Sequence, residues 1–130
     1  MAQDMILVVD DNPLNMKLVR VLLTSEGYQV RTAADATEAL AVLSECHPRL
    51  ILMDIQLPGI DGLELTRRLK ADPSTRDILI VGLTAYAMKG DEERIRAAGC
   101  DGYIPKPIDT RTLPGFIKAY LNAETPKTTS

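Results

Sequence analysis

Met5-Ile6-Leu7-Val8-Val9-Asp10-Asp11-Asn12-Pro13-Leu14 passes from an unbroken apolar run into two acids and then into a helix start. An apolar run without alternation is the pattern of a strand buried on both faces. Asn12 can cap a helix, and Pro13 fits its first position. The same motif of apolar run and polar end recurs at Leu50-Ile51-Leu52-Met53 followed by Asp54, and at Ile78-Leu79-Ile80-Val81 leading to Thr84. Tyr28–Thr32 and Gly102–Ile104 are of mixed polarity and suit sheet edges.

Helical patterns separate these runs. Leu14, Leu18 and Leu22 recur every fourth residue, with Val19 and Leu23 beside them, and Gly27 can end the last turn. Asp35 and Glu38 resemble a capping box ahead of Ala39, Leu40 and Leu43; Asp61 and Glu64 repeat that spacing before Leu65 and Leu69, and Asp72-Pro73 closes the segment. A fourth helix is predicted over Ala87 to Ala98, with Asp91, Glu92 and Glu93 near its start and Gly99 past its end. The fifth carries Leu113, Phe116, Ile117, Tyr120 and Leu121, with Pro114-Gly115 predicting a late start or an irregular first turn. Five strands alternating with five helices predict an α/β fold: a doubly wound, flavodoxin-like parallel sheet in the order 2-1-3-4-5. Its ligand crevice would lie at the carboxyl ends of strands 1 and 3.

A chain of 130 residues fits one domain, predicted over 1–122 with a flexible tail over 123–130. Its charge of −3 offers no basic surplus for general nucleic-acid binding. The start Met1-Ala2-Gln3-Asp4 lacks a basic leader, and no apolar run approaches membrane-spanning length, so a cytoplasmic protein without membrane insertion is expected. Cys46 and Cys100 are read as reduced packing thiols and His47 as surface structure; Arg67-Arg68, Arg94 and Arg96 are read as solvated helix faces.

The strand ends concentrate the chemistry. Asp10-Asp11 close strand 1, Asp54 closes strand 3, Thr84 closes strand 4, and Lys106 follows strand 5. Three carboxylates in one crevice repel one another, which raises their pKa values or calls for a cation. An all-oxygen donor set suits Mg²⁺. With an ammonium and a hydroxyl added, the set matches phosphoryl transfer, which needs an in-line nucleophile and charge neutralisation. Asp54 is the natural nucleophile, left accessible by the loop Ile55-Gln56-Leu57-Pro58-Gly59, with Asp11 on the metal and Asp10 assisting.

Val8-Val9-Asp10-Asp11-Asn12, Leu52-Met53-Asp54-Ile55-Gln56-Leu57-Pro58, Leu83-Thr84-Ala85 and Tyr103-Ile104-Pro105-Lys106-Pro107 together resemble the receiver domain of bacterial two-component response regulators over roughly residues 5–122. Asn15-Met16-Lys17-Leu18 and the stretch from Ala87 to Arg96 resemble the DivK-type single-domain regulators of cell division and polarity. The resemblance implies that Asp54 accepts a phosphoryl group from a histidine kinase or a histidine phosphotransfer protein. It implies Mg²⁺ on Asp11, Asp54 and the backbone carbonyl of Gln56, with Asp10 in support, and phosphoryl oxygens on Thr84 and Lys106. It also implies a Tyr103 rotamer change coupled to Thr84, a cis Lys106-Pro107 peptide, and a downstream target on the face of helix 4, strand 5 and helix 5. Gln56 and Tyr86 border the path of the hydrolytic water in this family, so slow self-dephosphorylation is expected.

Such a protein is a phosphoacceptor rather than a turnover enzyme, and residues 108–130 are expected to hold one helix and a tail with no output domain. Two rivals share the fold class. A Mg²⁺-dependent phosphohydrolase would carry an Asp-x-Asp loop on strand 1 and a cap insertion. A flavin carrier would need a Ser/Thr/Gly phosphate cradle where this chain has Asp10-Asp11-Asn12-Pro13.

Overall fold

The computed structural model describes residues 4–55, 62–84, 89–106 and 108–124. The elements run β1 (Met5–Val9), α1 (Pro13–Ser25), β2 (Gln29–Ala33), α2 (Ala36–Leu43), β3 (Leu50–Asp54), α3 (Gly62–Ala71), β4 (Leu79–Thr84), α4 (Lys89–Ala97), β5 (Gly102–Pro105) and α5 (Leu113–Glu124). The sheet is parallel in the order β2-β1-β3-β4-β5, as the alternation of elements predicts. The two mixed-polarity strands are its edges.

Alternate residues of each central strand feed opposite layers. Leu7, Val9, Ile51, Met53 and Ile80 pack with α2, α3 and Ile95 of α4. Ile6, Val8, Leu50, Leu52, Val81 and Leu83 pack with Val19 and Leu23 of α1 and Leu113, Ile117 and Leu121 of α5. The buried stripes of three helices differ from the periodicity reading. On α1, Leu14 is 78% exposed and Leu18 is also exposed, because the face toward the sheet is centred on Val19 and Leu23. On α2, Ala36, Ala39 and Val42 are buried and Leu40 faces outward; on α5, Phe116 does.

Local signals hold where they are backbone chemistry. The Asn12 side chain accepts from the Leu14 and Asn15 N–H groups at 2.9 and 3.2 Å, with Pro13 in the first turn. Asp35 accepts from the Glu38 N–H at 2.8 Å, while the Glu38 carboxylate accepts from the Ala34 N–H at 2.9 Å. Glu64 pairs with Arg67 and Arg68, each at 3.3 Å; its expected capping partner, Asp61, lies outside the described residues. Gly27 and Gly99 carry positive φ (95° and 108°) just past α1 and α4, a conformation that costs glycine little.

Boundaries move for identifiable reasons. The Tyr28 N–H is held by the Leu23 carbonyl, so β2 begins at Gln29; the Ile78 N–H is held by Thr75, so β4 begins at Leu79. Of the two outcomes that Pro114-Gly115 predicts, the late start is not observed: α5 starts at Leu113 with Pro114 in its first turn, where no intrahelical donor is needed. The helix is entered through a turn in which the Thr112 and Leu113 N–H groups both donate to the Asp109 carbonyl. It runs to Glu124, two residues into the predicted tail, the rest of which lies outside the described residues. So do Ala87 and Met88 of the fourth helix.

The amino-terminal end of β4 and β5 is fastened by one ammonium. Lys70 Nζ donates to the Ile78 carbonyl at 2.8 Å and the Arg76 carbonyl at 3.3 Å, and pairs with Asp101 Oδ2 at 3.0 Å. That same Asp101 oxygen accepts from the Ile80 N–H at 2.8 Å. Cys100 is buried and Cys46 half-buried, both as free thiols; exposed His47 pairs with Asp77 at 3.1 Å.

Candidate functional site

Asp10 lies one residue beyond β1, where its N–H donates to the Ala33 carbonyl at 3.0 Å and prolongs the β1–β2 ladder. Its Oδ1 accepts from the Asn12 N–H at 2.8 Å, which aims the carboxylate across the strand ends. Asn12 therefore serves twice, its side chain capping α1 and its backbone fixing Asp10. Cap patterning reveals the first role and gives no sign of the second.

Asp54 ends β3 opposite Leu83 of β4. It is buried, with only 2% exposed, and Lys106 Nζ lies 3.0 Å from its Oδ2. The expectation of an accessible Asp54 is thus corrected: Lys106 reaches across its carboxylate. The lysine is held in place by its own backbone, whose N–H donates to the Thr84 carbonyl at 2.7 Å. Thr84 is buried at the end of β4, opposite Pro105 of β5. Tyr103, on β5, is half-buried and packs against the layer that contains α2, α3 and α4.

One oxygen from each of Asp10, Asp11 and Asp54 lies within 4.8 Å of the others, with Asp10 and Asp54 buried and Asp11 exposed. Lys106 compensates one of three carboxylate charges when all are ionised. Burial pushes the Asp10 carboxyl above its ordinary range and the Asp54 charge adds to this, against the Asn12 N–H and the Lys106 ammonium. Among the described residues, buried Asp10 Oδ2 has no hydrogen-bond partner, a costly state for a carboxylate oxygen. A buried orphan oxygen within an all-oxygen, net-negative cluster fits a hard divalent cation such as Mg²⁺. Gln56, the carbonyl ligand implied by resemblance, lies outside the described residues, as do Tyr86 and Pro107.

The raised Asp10 pKa sets the sign of a stability effect. The folded state binds this proton more tightly than the unfolded chain, so stability falls as pH rises from the ordinary carboxylate range through the raised value. Above that window the penalty is complete. Asp10→Asn is expected to stabilise the metal-free protein above that window and to raise its Tm there. The gain should fade in acid. An unchanged Tm in metal-free buffer would show that the cluster is not repulsive.

A five-stranded 2-1-3-4-5 sheet with acids ending its first and third strands, a hydroxyl ending the fourth and a lysine following the fifth defines a receiver-type domain. The chain belongs to the response regulator receiver domain family, whose model matches residues 6–118, and so to two-component signalling. It is 51% identical over 116 residues to the polar-differentiation response regulator DivK of Brucella ovis, covering 89% of this chain and 94% of that relative. Among solved structures it resembles a CheY-like receiver domain protein from Methanospirillum hungatei (TM-score 0.88, 32% identity, 97% of this chain and 99% of that one). It also resembles the receiver domain of a Pseudomonas aeruginosa sensor histidine kinase with magnesium coordinated in the active-site cleft (TM-score 0.83, 35% identity, 93% and 99% covered). The phosphohydrolase and flavin-carrier readings give way to this family. Among the described residues, no helix is long and apolar enough to cross a membrane.

Proposed function

We propose that the chain accepts a phosphoryl group on Asp54 from a histidine kinase or histidine phosphotransfer protein, in a Mg²⁺-dependent reaction. Its phosphorylation state then changes which proteins it binds, in the control of cell division or polarity. The observation that carries this reading is Lys106 Nζ at 3.0 Å from a buried Asp54 that shares its crevice with two further carboxylates. The polarity role is supported by the DivK relative alone.

An Asp54 oxygen attacks the phosphorus of a phosphohistidine. The new O–P bond forms as the P–N bond breaks, and the imidazole leaves with that electron pair and takes up a proton. Asp10, Asp11 and Asp54, with the Gln56 carbonyl, would hold Mg²⁺, which when bound supplies charge neutralisation to the transferred group. Lys106 is already on the acceptor, so its ammonium has only to pass from the carboxylate to a phosphoryl oxygen. The Thr84 hydroxyl would bind another, and Tyr103 would then turn into the space that the threonine leaves. Partners would read that change on the face of α4, β5 and α5. Nothing in this chemistry requires turnover.

Acetyl phosphate with Mg²⁺ should add one hydroxylamine-labile phosphoryl group per chain, and EDTA should abolish it. Continuous phosphate release without an adduct would mean a hydrolase; full-rate labelling in EDTA would remove the metal from the mechanism.

Output is tested separately. Thr84→Ala should still accept phosphoryl, yet its partner affinity should respond weakly to beryllofluoride. A complete 1:99 to 99:1 switch needs ~5.5 kcal/mol of differential binding. One hydrogen bond contributes about 1–3 kcal/mol, so loss of Thr84 should leave a partial response through Lys106. A wild-type affinity ratio in both Thr84→Ala and Tyr103→Ala would place the output path elsewhere.

A further inference from the structure

β2 is an edge strand of the sheet, with β1 on one side. The Gln29 N–H donates to the Asp4 carbonyl, and the Ala33 carbonyl accepts from the Asp10 N–H, both at 3.0 Å. The backbone groups of Gln29, Arg31 and Ala33 therefore face β1. By the strand period, Val30 and Thr32 turn their N–H and C=O groups to the open edge. Among the described residues, no backbone bond outside the sheet reaches these four groups.

One flank of α1 overlies this edge. Pro13, Lys17, Arg20 and Thr24 follow one another at helical spacing along that flank. With Thr32 and Val30 they line two open grooves of about 240 and 910 Å³, and Arg20 borders both. Lys17 and Arg20 are the charged residues of α1; both are exposed, and neither has an ionic or hydrogen-bonding partner among the described residues. Arg31, on the opposite face of β2, is engaged by Cys46 Sγ at 3.1 Å and by Glu45 at 3.4 Å.

We propose that the β2 edge receives an extended acidic segment of a partner protein, added as a sixth strand. Its backbone would bond Val30 and Thr32, and its carboxylates would sit on Lys17 and Arg20. Strand addition draws its affinity from main-chain bonds and its selectivity from alternate side chains, and both elements are present here. Cations beside an edge commonly deter pairing. That deterrent acts against a second copy of this chain, which would bring its own Lys17 and Arg20 to the same edge, and it becomes an attraction for an acidic strand. The inference is independent of the Asp54 chemistry.

The probe is a blocked, fluorescein-labelled heptapeptide of alternating Val and Glu, with a Val/Lys counterpart. The acidic peptide should bind and slow hydrogen exchange at the Val30 and Thr32 amides, leaving the Gln29 and Arg31 amides unchanged. The Lys17→Glu/Arg20→Glu variant, altered only on exposed positions, should weaken binding about tenfold, and added salt should weaken the wild-type complex. The Val/Lys peptide should not bind. The proposal is overturned if the acidic peptide fails to bind, binds without new protection at Val30 and Thr32, or binds the charge-reversed variant equally well.

Discussion

Asp54→Asn is expected to take up no phosphoryl group from acetyl phosphate and Mg²⁺ under conditions where the wild type takes up one. An amide oxygen is a poor nucleophile, and it lacks the charge that draws Lys106 Nζ to 3.0 Å. Asp54 is the acid on which the Lys106 ammonium sits, and that contact is what sets it apart from Asp10 and Asp11. Asparagine preserves the shape of the β3 end, so the fold should persist. Lost labelling with an intact thermal transition separates chemistry from collapse. Undiminished labelling of the variant would transfer the acceptor role to another residue.

Gly62→Ala should produce the largest loss of stability. Gly62 opens α3, and its N–H donates to the Ile55 carbonyl at 3.0 Å, drawing the helix against the end of β3. A Cβ there would collide with the Asp54 carbonyl oxygen and approach the Ile55 Cα to 2.9 Å. Both obstacles are backbone, and neither can rotate away. Overpacking of this kind costs about 3 kcal/mol or more, and relief requires the chain carrying Asp54 to move. Gly115→Ala is the contrast: a Cβ there meets nothing within 4 Å inside α5, so helix propensity should stabilise by about 0.5–1 kcal/mol. Urea midpoints for the two variants give the comparison. A Gly62→Ala midpoint close to wild type would mean that β3 and α3 separate easily.

Continuous apolar runs made the three central strands legible, and mixed polarity marked both edges. The strand-end acids could be found because a parallel sheet gathers its carboxyl ends at one rim, so each polar residue that stops a run is placed by topology. Helix faces were harder. In α1, Leu14 and Leu18 fit helical spacing as well as Val19 and Leu23 do, and only the position of the sheet decides which pair is covered. The burial of Asp54 was hidden because the side chain that crosses it belongs to another strand's end. The closeness of Gly62 to Asp54 was hidden because Asp61-Gly62 reads simply as a cap and a helix start.

The Lys70 clasp makes one rim of the sheet depend on a single side chain. One ammonium ties the start of β4, through the Ile78 carbonyl, to Asp101 just before β5. Asp101 is anchored in turn by the Ile80 N–H. β4 and β5 are thus cross-linked by charge at the rim remote from Asp54, in addition to their ladder of backbone bonds. At the opposite rim the corresponding tie is the Lys106 N–H on the Thr84 carbonyl at 2.7 Å, so charge closes the pair at one end and backbone closes it at the other, where the acids gather.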